Sequence, residues 1–282
     1  MPLTTSSDML ARAQKGKYAV GAFNAENMEM VQAIIAAAES LSAPVIIQTT
    51  PGTLRYASPE MFFSMVCAQA LYAGVPVAIH LDHGEDFPMA ARALRAGYTS
   101  IMIDGSKHVL EENITLTRQV VLMCAPCGVP VEGELGHVGG KEDDLESAGT
   151  GYTDPDEAVE FVRGTGVESL AVGVGTAHGV YATEPALNRE LISILRGRID
   201  TPMVLHGASG LKDEVVQDCI ARGICKVNFA TELRVAYTKA ATEYMRENPK
   251  ALDPKKFGAA AREAVTDLVK EKIIVCGCDG RA

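Results

Sequence analysis

The feature that most constrains the fold is the regular recurrence of short apolar segments along the chain. Each segment has six to nine residues rich in valine, isoleucine and alanine, and successive segments begin 22 to 39 residues apart. The eight segments are residues 19–24, 43–50, 75–83, 100–106, 130–136, 169–175, 202–209 and 224–231. Near-continuous apolar character is typical of strands that are buried on both faces of a parallel sheet.

Segments with a helical pattern separate these strands. The clearest are residues 26–41, 59–73, 111–124 and 156–163, and two more, 232–246 and 259–275, follow the eighth strand. Eight strand–helix units with right-handed connections close naturally into a barrel. The chain has 282 residues, and such a barrel needs roughly 250. We therefore expect an α/β fold: a single (β/α)8 TIM-barrel domain over residues 1–282, with extra C-terminal helices. An open doubly wound sheet is the alternative, but no GxGxxG motif follows the first strand.

The acidic composition limits the possible partners. A net charge of −10 and a pI near 5.1 argue against nucleic acid, because phosphate-backbone binding needs a basic face. A small phosphorylated substrate remains possible, since it needs only a local anion site. The first residues lack a secretory pattern, and no apolar run has the length of a membrane span. Seven scattered cysteines are typical of reduced thiols, so we expect a cytoplasmic protein.

Polar residues interrupt the predicted strands at their carboxyl ends. In a barrel these ends converge on one rim, and that rim carries the active site. A single histidine there would be unremarkable, but three from three strands indicate a metal site, and neutral imidazoles suit Zn²⁺ with one open position. The rim residues are Asp82, His83, Asp104, Glu132, Glu134, His178, His206 and Asn228.

The remaining histidines and cysteines have ordinary interpretations. His80 shares strand parity with Asp82, so we expect it inside the barrel beneath the site. His108 and His137 lie in loops and are expected to be solvated. The two close cysteine pairs, at 124 and 127 and at 276 and 278, have no matching second pair at zinc-ribbon spacing and are interpreted as structural thiols.

Two glycine-containing turns predict a phosphate site. Strand seven ends in HGASG (206–210) and strand eight in NFAT (228–231), and each leads into a helix. Glycines let backbone N–H groups approach an anion, and helix N-termini add partial positive charge. Loops after strands seven and eight are the usual phosphate position of these barrels.

Carbonyl chemistry fits this combination of groups. A Lewis-acidic zinc polarises a carbonyl, and a nearby carboxylate such as Asp82 moves protons. The long polar segment 136–155 includes the acidic KEDD (141–144), which could close over substrate and bring a second base. Lys226 is the strand lysine that could form a Schiff base, but its position before the rim favours a structural or electrostatic role.

Five motifs give the chain a family resemblance. They are HLDHGEDF (80–87), VEGELGHVGGKEDD (131–144), VGTAHGVY (174–181), VLHGASGL (204–211) and GICKVNFATEL (223–233). Together they resemble the class II aldolases, and most closely the ketose-bisphosphate group that contains tagatose-bisphosphate aldolase. The resemblance implies zinc on His83, His178 and His206, with Asp82 as the catalytic acid–base at the C4 oxygen. It implies that Glu142 exchanges the proton on the dihydroxyacetone phosphate carbon, and that Asp104 and Glu134 line a second metal position.

The resemblance also implies a substrate-binding set and a monovalent cation, Na⁺ or K⁺, held by backbone carbonyls. The set is Asn24, Thr50, Gly179, Gly207, Ala208, Ser209, Asn228, Ala230 and Thr231. For the far phosphate of a bisphosphate we expect Arg281. Tagatose-type members often have a second histidine at the position of Gly84, so Gly84 is more similar to fructose-type relatives. The C-terminal GCDGRA favours a tagatose-type enzyme.

The sequence therefore predicts reversible cleavage of a ketose 1,6-bisphosphate to dihydroxyacetone phosphate and glyceraldehyde 3-phosphate. Tagatose 1,6-bisphosphate is favoured over fructose 1,6-bisphosphate. The alternatives are another phosphorylated ketose, a metal-dependent hydrolase on the same barrel, or a non-catalytic aldolase-like subunit. We expect a homodimer or homotetramer, because such barrels commonly associate through outer helices.

Overall fold

A computed structural model describes residues 3–142, 145–147, 151–179, 181 and 185–282. At residues 141–142 and 145–147 the description covers the backbone. Within the described residues, no helix is long and apolar enough to cross a membrane.

Eight parallel strands form a closed barrel, as the sequence predicts. Including a small separate sheet, the strands are β1 Val20–Asn24, β2 Val45–Thr49, β3 Val77–Gly84, β4 Ser100–Ile103, β5 Val131–Leu135, β6 Gly139–Glu142, β7 Leu145–Ser147, β8 Ser169–Val172, β9 Ala177–His178, β10 Met203–Leu205 and β11 Ile224–Phe229. The barrel order is β1-β11-β10-β8-β5-β4-β3-β2. All the barrel strands pair in parallel, so their carboxyl ends share one rim.

Helices surround the barrel and alternate with its strands. They are α1 Ser6–Gly16, α2 Met28–Ser40, α3 Pro51–Tyr56, α4 Pro59–Ala70, α5 Phe87–Ala96, α6 Leu110–Cys124, a 3-10 turn Ala125–Cys127, α7 Pro155–Thr165, α8 Arg189–Arg196, α9 Asp213–Arg222, α10 Thr231–Glu247 and α11 Pro254–Cys276. Several begin at a side chain that accepts a backbone N–H, as Asn27, Asp86 and Asp154 do, which satisfies donors left over in the first turn. The predicted (β/α)8 barrel and its two C-terminal helices are confirmed.

Helix α1 and the small sheet are elements that the sequence patterns did not indicate. The residues before α1 reach the amino end of β3, where Thr4 N–H donates to the Val77 carbonyl (2.9 Å). The small sheet has the order β7-β6-β9, and β6 and β7 lie in the segment 136–155 that we expected to be a long loop. Because Gly140 of β6 pairs with His178 of β9, this sheet connects the segment to the barrel rim.

Candidate active site

The side chains of Asp82 and His83 both point to the site at the rim, although the two residues are neighbours on β3. Side chains alternate between the two faces of a regular strand, so consecutive residues normally point apart. Here β3 bulges: Leu81 pairs with Ile101, but Gly84 pairs with Ile103. His83 takes a left-handed backbone conformation with φ of 49°, which is uncommon for a residue other than glycine. The bulge allows both side chains to serve the site.

The three predicted histidines meet at the centre of the rim. One ring nitrogen from each of His83, His178 and His206 lies within 4.8 Å of the other two. Nε2 of His83 is 2.9 Å from Nδ1 of His206. The ring of His178 lies 5.0 Å from that of His83 and 5.9 Å from that of His206, centroid to centroid. Three imidazoles this close are a nitrogen donor set of the kind that Zn²⁺ takes.

Carboxylates flank the histidines. Nδ1 of His83 is 3.0 Å from Oδ2 of Asp104, and Oε2 of Glu134 is 3.8 Å from the same nitrogen and 3.9 Å from Nδ1 of His206. That Glu134 oxygen is buried and has no hydrogen-bond partner among the described residues. His83, Asp104 and Glu134 form a second group with metal-ligand spacing. A buried, unpartnered carboxylate oxygen beside three imidazoles fits a bound cation.

The ionisation of the histidines follows from their crowding. Burial lowers the pKa of His83, but the neighbouring Asp82 carboxylate and the hydrogen bond to Asp104 outweigh it and raise that pKa well above its ordinary value. Burial and the charge of His83 together hold the pKa of His178 well below its ordinary value. Burial also lowers the pKa of His206. The lowered pKa values of His178 and His206 favour neutral imidazoles, the form that can ligate a cation.

Asp82 is completely buried and is held by three amide groups. Asn24 and Gln48 each donate to its Oδ2 at 3.1 Å, and Asn228 donates to its Oδ1 at 3.1 Å. Burial raises its pKa, but nearby positive charge, above all that of His83, prevails and lowers it below the ordinary value. Asp82 is thus an ionised, rigidly oriented proton acceptor.

Gln48 is a site residue that the sequence analysis missed. It is fully buried, and its amide nitrogen also donates to Oδ1 of Asn24 (2.6 Å), so it fixes both Asn24 and Asp82. The sequence held a weak signal for it, because Gln48 shares strand parity with Thr50 and follows the apolar residues 45–47 of a buried strand.

The predicted phosphate-binding residues line one small cavity beside the histidines. Ser209 and Ala230 meet there, where the Ala230 N–H donates to the Ser209 hydroxyl (3.2 Å). Helix α10 begins at Thr231 without a side-chain cap, which leaves N–H groups for an anion. Gly207 has φ of 66°, and a Cβ there would lie 2.6 Å from the Ala177 carbonyl oxygen. The cavity is lined by His178, Gly179, Gly207, Ser209, Asn228, Ala230 and Thr231.

Other predicted residues lie around this centre. Thr50 is buried at the end of β2, where it caps α3, and Ala208 is buried beside Gly207. The backbone of Glu142 lies in β6, next to the strand that carries His178. The Glu142 side chain, and residues 143–144 of the acidic segment, lie outside the described part of the chain.

The structure does not bring Arg281 to the rim. Its guanidinium lies over the ring of Tyr18, 5.4 Å from the centroid, and Tyr18 precedes β1. The adjoining Ala282 N–H donates to the Ser42 carbonyl, and Ser42 precedes β2. Arg281 is therefore at the amino end of the barrel, opposite Asp82, and the expectation that it binds the far phosphate of substrate in its own chain is wrong.

The remaining histidines, Lys226 and the cysteines lie outside the group of three imidazoles. His80 is fully buried inside the barrel, as expected, and so is Lys226. His108 is exposed, whereas His137 is half-buried because its backbone pairs with that of Gly151. All seven cysteines are free thiols.

The fold and the rim together define a (β/α)8 barrel with a histidine–carboxylate metal-binding cluster beside an anion cradle. The family model for class II fructose-bisphosphate aldolases matches residues 4–281, and the chain belongs to that family. The family is one of lyases that act on phosphorylated sugars.

Solved structures agree with this assignment. The YdjI aldolase of Escherichia coli K12 is 38% identical, with a TM-score of 0.87 and 99% of each chain covered. A Coccidioides immitis protein assigned provisionally as a fructose-1,6-bisphosphate aldolase is 31% identical, with a TM-score of 0.90, covering 97% of this chain and 96% of that one. The fructose-bisphosphate aldolase of Campylobacter jejuni shares the fold (TM-score 0.86) at 20% identity, covering 100% of this chain and 97% of that one.

Proposed function

We propose that this chain is a zinc-dependent aldolase that reversibly cleaves a ketose 1,6-bisphosphate to dihydroxyacetone phosphate and glyceraldehyde 3-phosphate. The observation that carries the proposal is the juxtaposition of a buried, amide-held Asp82 with three converging imidazoles and a glycine-rich anion cradle. The anion cradle beside the imidazoles supports an aldolase of phosphorylated sugars over a metal-dependent hydrolase.

The residues that would hold zinc are His83, His178 and His206, with Asp104 and Glu134 at a second position. When bound, zinc supplies Lewis acidity that stabilises negative charge next to the breaking bond. The hydroxyl of Ser209 and the N–H groups at the start of α10 hold the phosphate of the dihydroxyacetone half. This anchoring places the rest of the sugar across the rim towards Asp82.

Asp82 performs the first proton transfer in this mechanism. Its carboxylate accepts the proton of the C4 hydroxyl, the C3–C4 bond breaks, and C4 becomes the carbonyl carbon of the departing aldehyde. The bonding electron pair stays with C3 of the dihydroxyacetone phosphate half. The three amide donors keep Asp82 from rotating, so that the accepting oxygen remains aimed at the reacting hydroxyl.

Glu142 supplies the second proton transfer, to C3 of the dihydroxyacetone phosphate half. This role rests on the KEDD motif of the family and on the pairing of β6 with the strand that carries His178. A carboxylate on a separate segment can protonate carbon without disturbing the amides around Asp82. The monovalent cation remains a prediction from the family resemblance.

For the sugar itself we favour tagatose 1,6-bisphosphate, with fructose 1,6-bisphosphate next and another phosphorylated ketose as the alternative. The C-terminal GCDGRA supports the first choice, whereas Gly84 and the similarity to the Coccidioides protein favour the second. We further propose a single domain that acts in a homodimer or homotetramer. The free thiols support a reducing compartment such as the cytoplasm.

The test is triose phosphate release from tagatose 1,6-bisphosphate and fructose 1,6-bisphosphate, in protein treated with a chelator and then reconstituted with zinc. Cleavage that disappears with the chelator and returns with zinc is the expected result, and the ratio of the two rates identifies the preferred sugar. Failure of the zinc-loaded protein to cleave any phosphorylated ketose would overturn the proposed function.

A further inference from the structure

The interior of the barrel directly beneath the histidines is charged. Lys226, Glu132 and His80 are each at most 1% exposed, although the interior of such barrels is normally filled by branched apolar side chains. A buried ion pair is usually no more stabilising than apolar residues of the same volume, because both charges must be removed from water. Stability alone therefore gives no reason for charges at this depth.

The Glu132 carboxylate connects the buried ammonium group to a histidine of the rim. Nζ of Lys226 donates to its Oε2 at 2.9 Å and to its Oε1 at 3.2 Å, and Nε2 of His206 lies 3.1 Å from the same Oε1. The hydroxyl of Ser169 adds a longer contact, 3.4 Å to Oε2. Both Glu132 oxygens thus accept from the Lys226 ammonium, and Oε1 also accepts from the His206 imidazole.

These contacts select one form of the His206 ring. Its Nδ1 faces Nε2 of His83 at 2.9 Å, so Nδ1 is the nitrogen that meets the other imidazoles. Its Nε2 must then carry the hydrogen that Glu132 accepts. The Asn228 amide nitrogen lies 3.2 Å from the same Nε2 and donates to Asp82 at 3.1 Å. An amide nitrogen cannot accept a hydrogen bond, so Glu132 is the acceptor for the Nε2 hydrogen.

On the side away from Glu132, the Lys226 ammonium contacts a second set of buried polar groups. Its Nζ lies 3.3 Å from Nε2 of His80, and Nδ1 of His80 is 2.7 Å from the hydroxyl of Ser100. That hydroxyl is 2.9 Å from the hydroxyl of Ser6 in α1. The ammonium is therefore fixed by a chain of buried polar groups that runs from the rim to the helix at the amino end of the barrel.

We propose that Lys226 is a positioning residue for the metal site: its ion pair with Glu132 fixes the carboxylate on Nε2 of His206, so that the ring presents Nδ1 to the metal. The inference rests on the proposed role of His206 as a zinc ligand. A carboxylate on the far nitrogen of a ligating histidine sets its tautomer, orients its ring and raises its basicity. In this chain Lys226 in turn orients the carboxylate.

The experiment measures the zinc dissociation constant by competition with a chromophoric chelator, and the absorption spectrum of the Co²⁺-loaded protein. Lys226→Met leaves Glu132 buried without its counter-charge and is expected to lower thermal stability. The double variant Lys226→Met with Glu132→Gln removes both charges at similar volume, so its melting temperature should recover. Its zinc dissociation constant should nevertheless rise about 10- to 100-fold, and its Co²⁺ spectrum should shift.

Ser169→Ala is the matched control, because it removes an uncharged contact from the same carboxylate and should leave zinc affinity within about threefold of the wild type. A double variant with wild-type melting temperature, wild-type zinc affinity and an unchanged Co²⁺ spectrum would overturn the positioning role. A wild-type chain that binds no zinc would instead overturn the metal assignment of the proposed function, so the two failures are distinguishable.

Discussion

Replacing Asp82 by Asn should remove the proposed proton acceptor while the rest of the site stays in place. The asparagine oxygen can still accept from Asn24 and Gln48, which reach the same carboxylate oxygen at 3.1 Å each. The new amide nitrogen would face Asn228, whose own Oδ1 has no hydrogen-bond partner among the described residues. Rotation of the Asn228 amide satisfies both groups, so we expect the fold to tolerate the change.

The expected loss of activity follows from the role of the carboxylate. A positioned general base contributes about 10²- to 10⁴-fold to the rate, which corresponds to about 3–5 kcal/mol of transition-state stabilisation. The kcat for triose phosphate release should fall by about that factor. Zinc content should not change, since Asp82 is not among the groups with metal-ligand spacing, and the melting temperature should change little.

Proton exchange gives this prediction its control. In D₂O, exchange at the reacting carbon of dihydroxyacetone phosphate, followed by NMR, depends on the proposed Glu142 and should persist in Asp82→Asn. Glu142→Gln should lose this exchange, because Glu142 is the proposed proton donor to that carbon. If zinc-loaded Asp82→Asn cleaved substrate within tenfold of the wild-type kcat, Asp82 would not be the proton acceptor.

Three further predictions follow from individual contacts. Burial and the Lys226 charge lower the pKa of His80 to about 3, so between pH 6.5 and 3 the unfolded state binds a proton that the folded state does not. The free energy of unfolding should therefore fall with decreasing pH, by about 2 kcal/mol from pH 6.5 to 5. Denaturant titrations at several pH values should show a smaller fall for His80→Asn than for the wild type. Gly84→Ala places a Cβ 2.4 Å from the Met102 carbonyl oxygen and should cost about 1–3 kcal/mol; an unchanged unfolding midpoint would contradict this packing. Arg281→Ala should leave the KM for a bisphosphate unchanged, because Arg281 lies at the opposite end of the barrel. A raised KM would indicate that Arg281 binds substrate.

The sequence alone determined the architecture and predicted that His83, His178 and His206 meet at the rim. Strands that are buried on both faces need near-continuous apolar segments, and eight of them alternating with helices leave few topologies besides a closed barrel. Because the carboxyl ends of parallel strands share one rim, the positions of His83, His178 and His206 at or after strand ends predicted that they lie together. These inferences succeeded because each depends on a local pattern repeated around one closed sheet.

Contacts made between only a few elements left a weaker signal in the sequence. In the sequence, Gln48 is only a polar residue in a buried strand. Its role in holding Asn24 and Asp82 depends on β1 and β3 lying on either side of its strand. Arg281 lies in the C-terminal motif GCDGRA, which suggested that it binds a substrate phosphate. The packing of α11 instead returns the C-terminus to the amino end of the barrel, beside Tyr18.

The pairing of Asp82 with His83 shows most directly what tertiary structure decided. By alternation alone, one of these neighbours should point into the barrel and the other towards the helices. Both reach the site because β3 bulges against β4 and His83 takes a left-handed backbone conformation. The His83 N–H meets the sulfur of Met102 at 3.4 Å. A left-handed conformation is unfavourable for a histidine in an isolated strand, so only the pairing and packing of the closed barrel can hold it there.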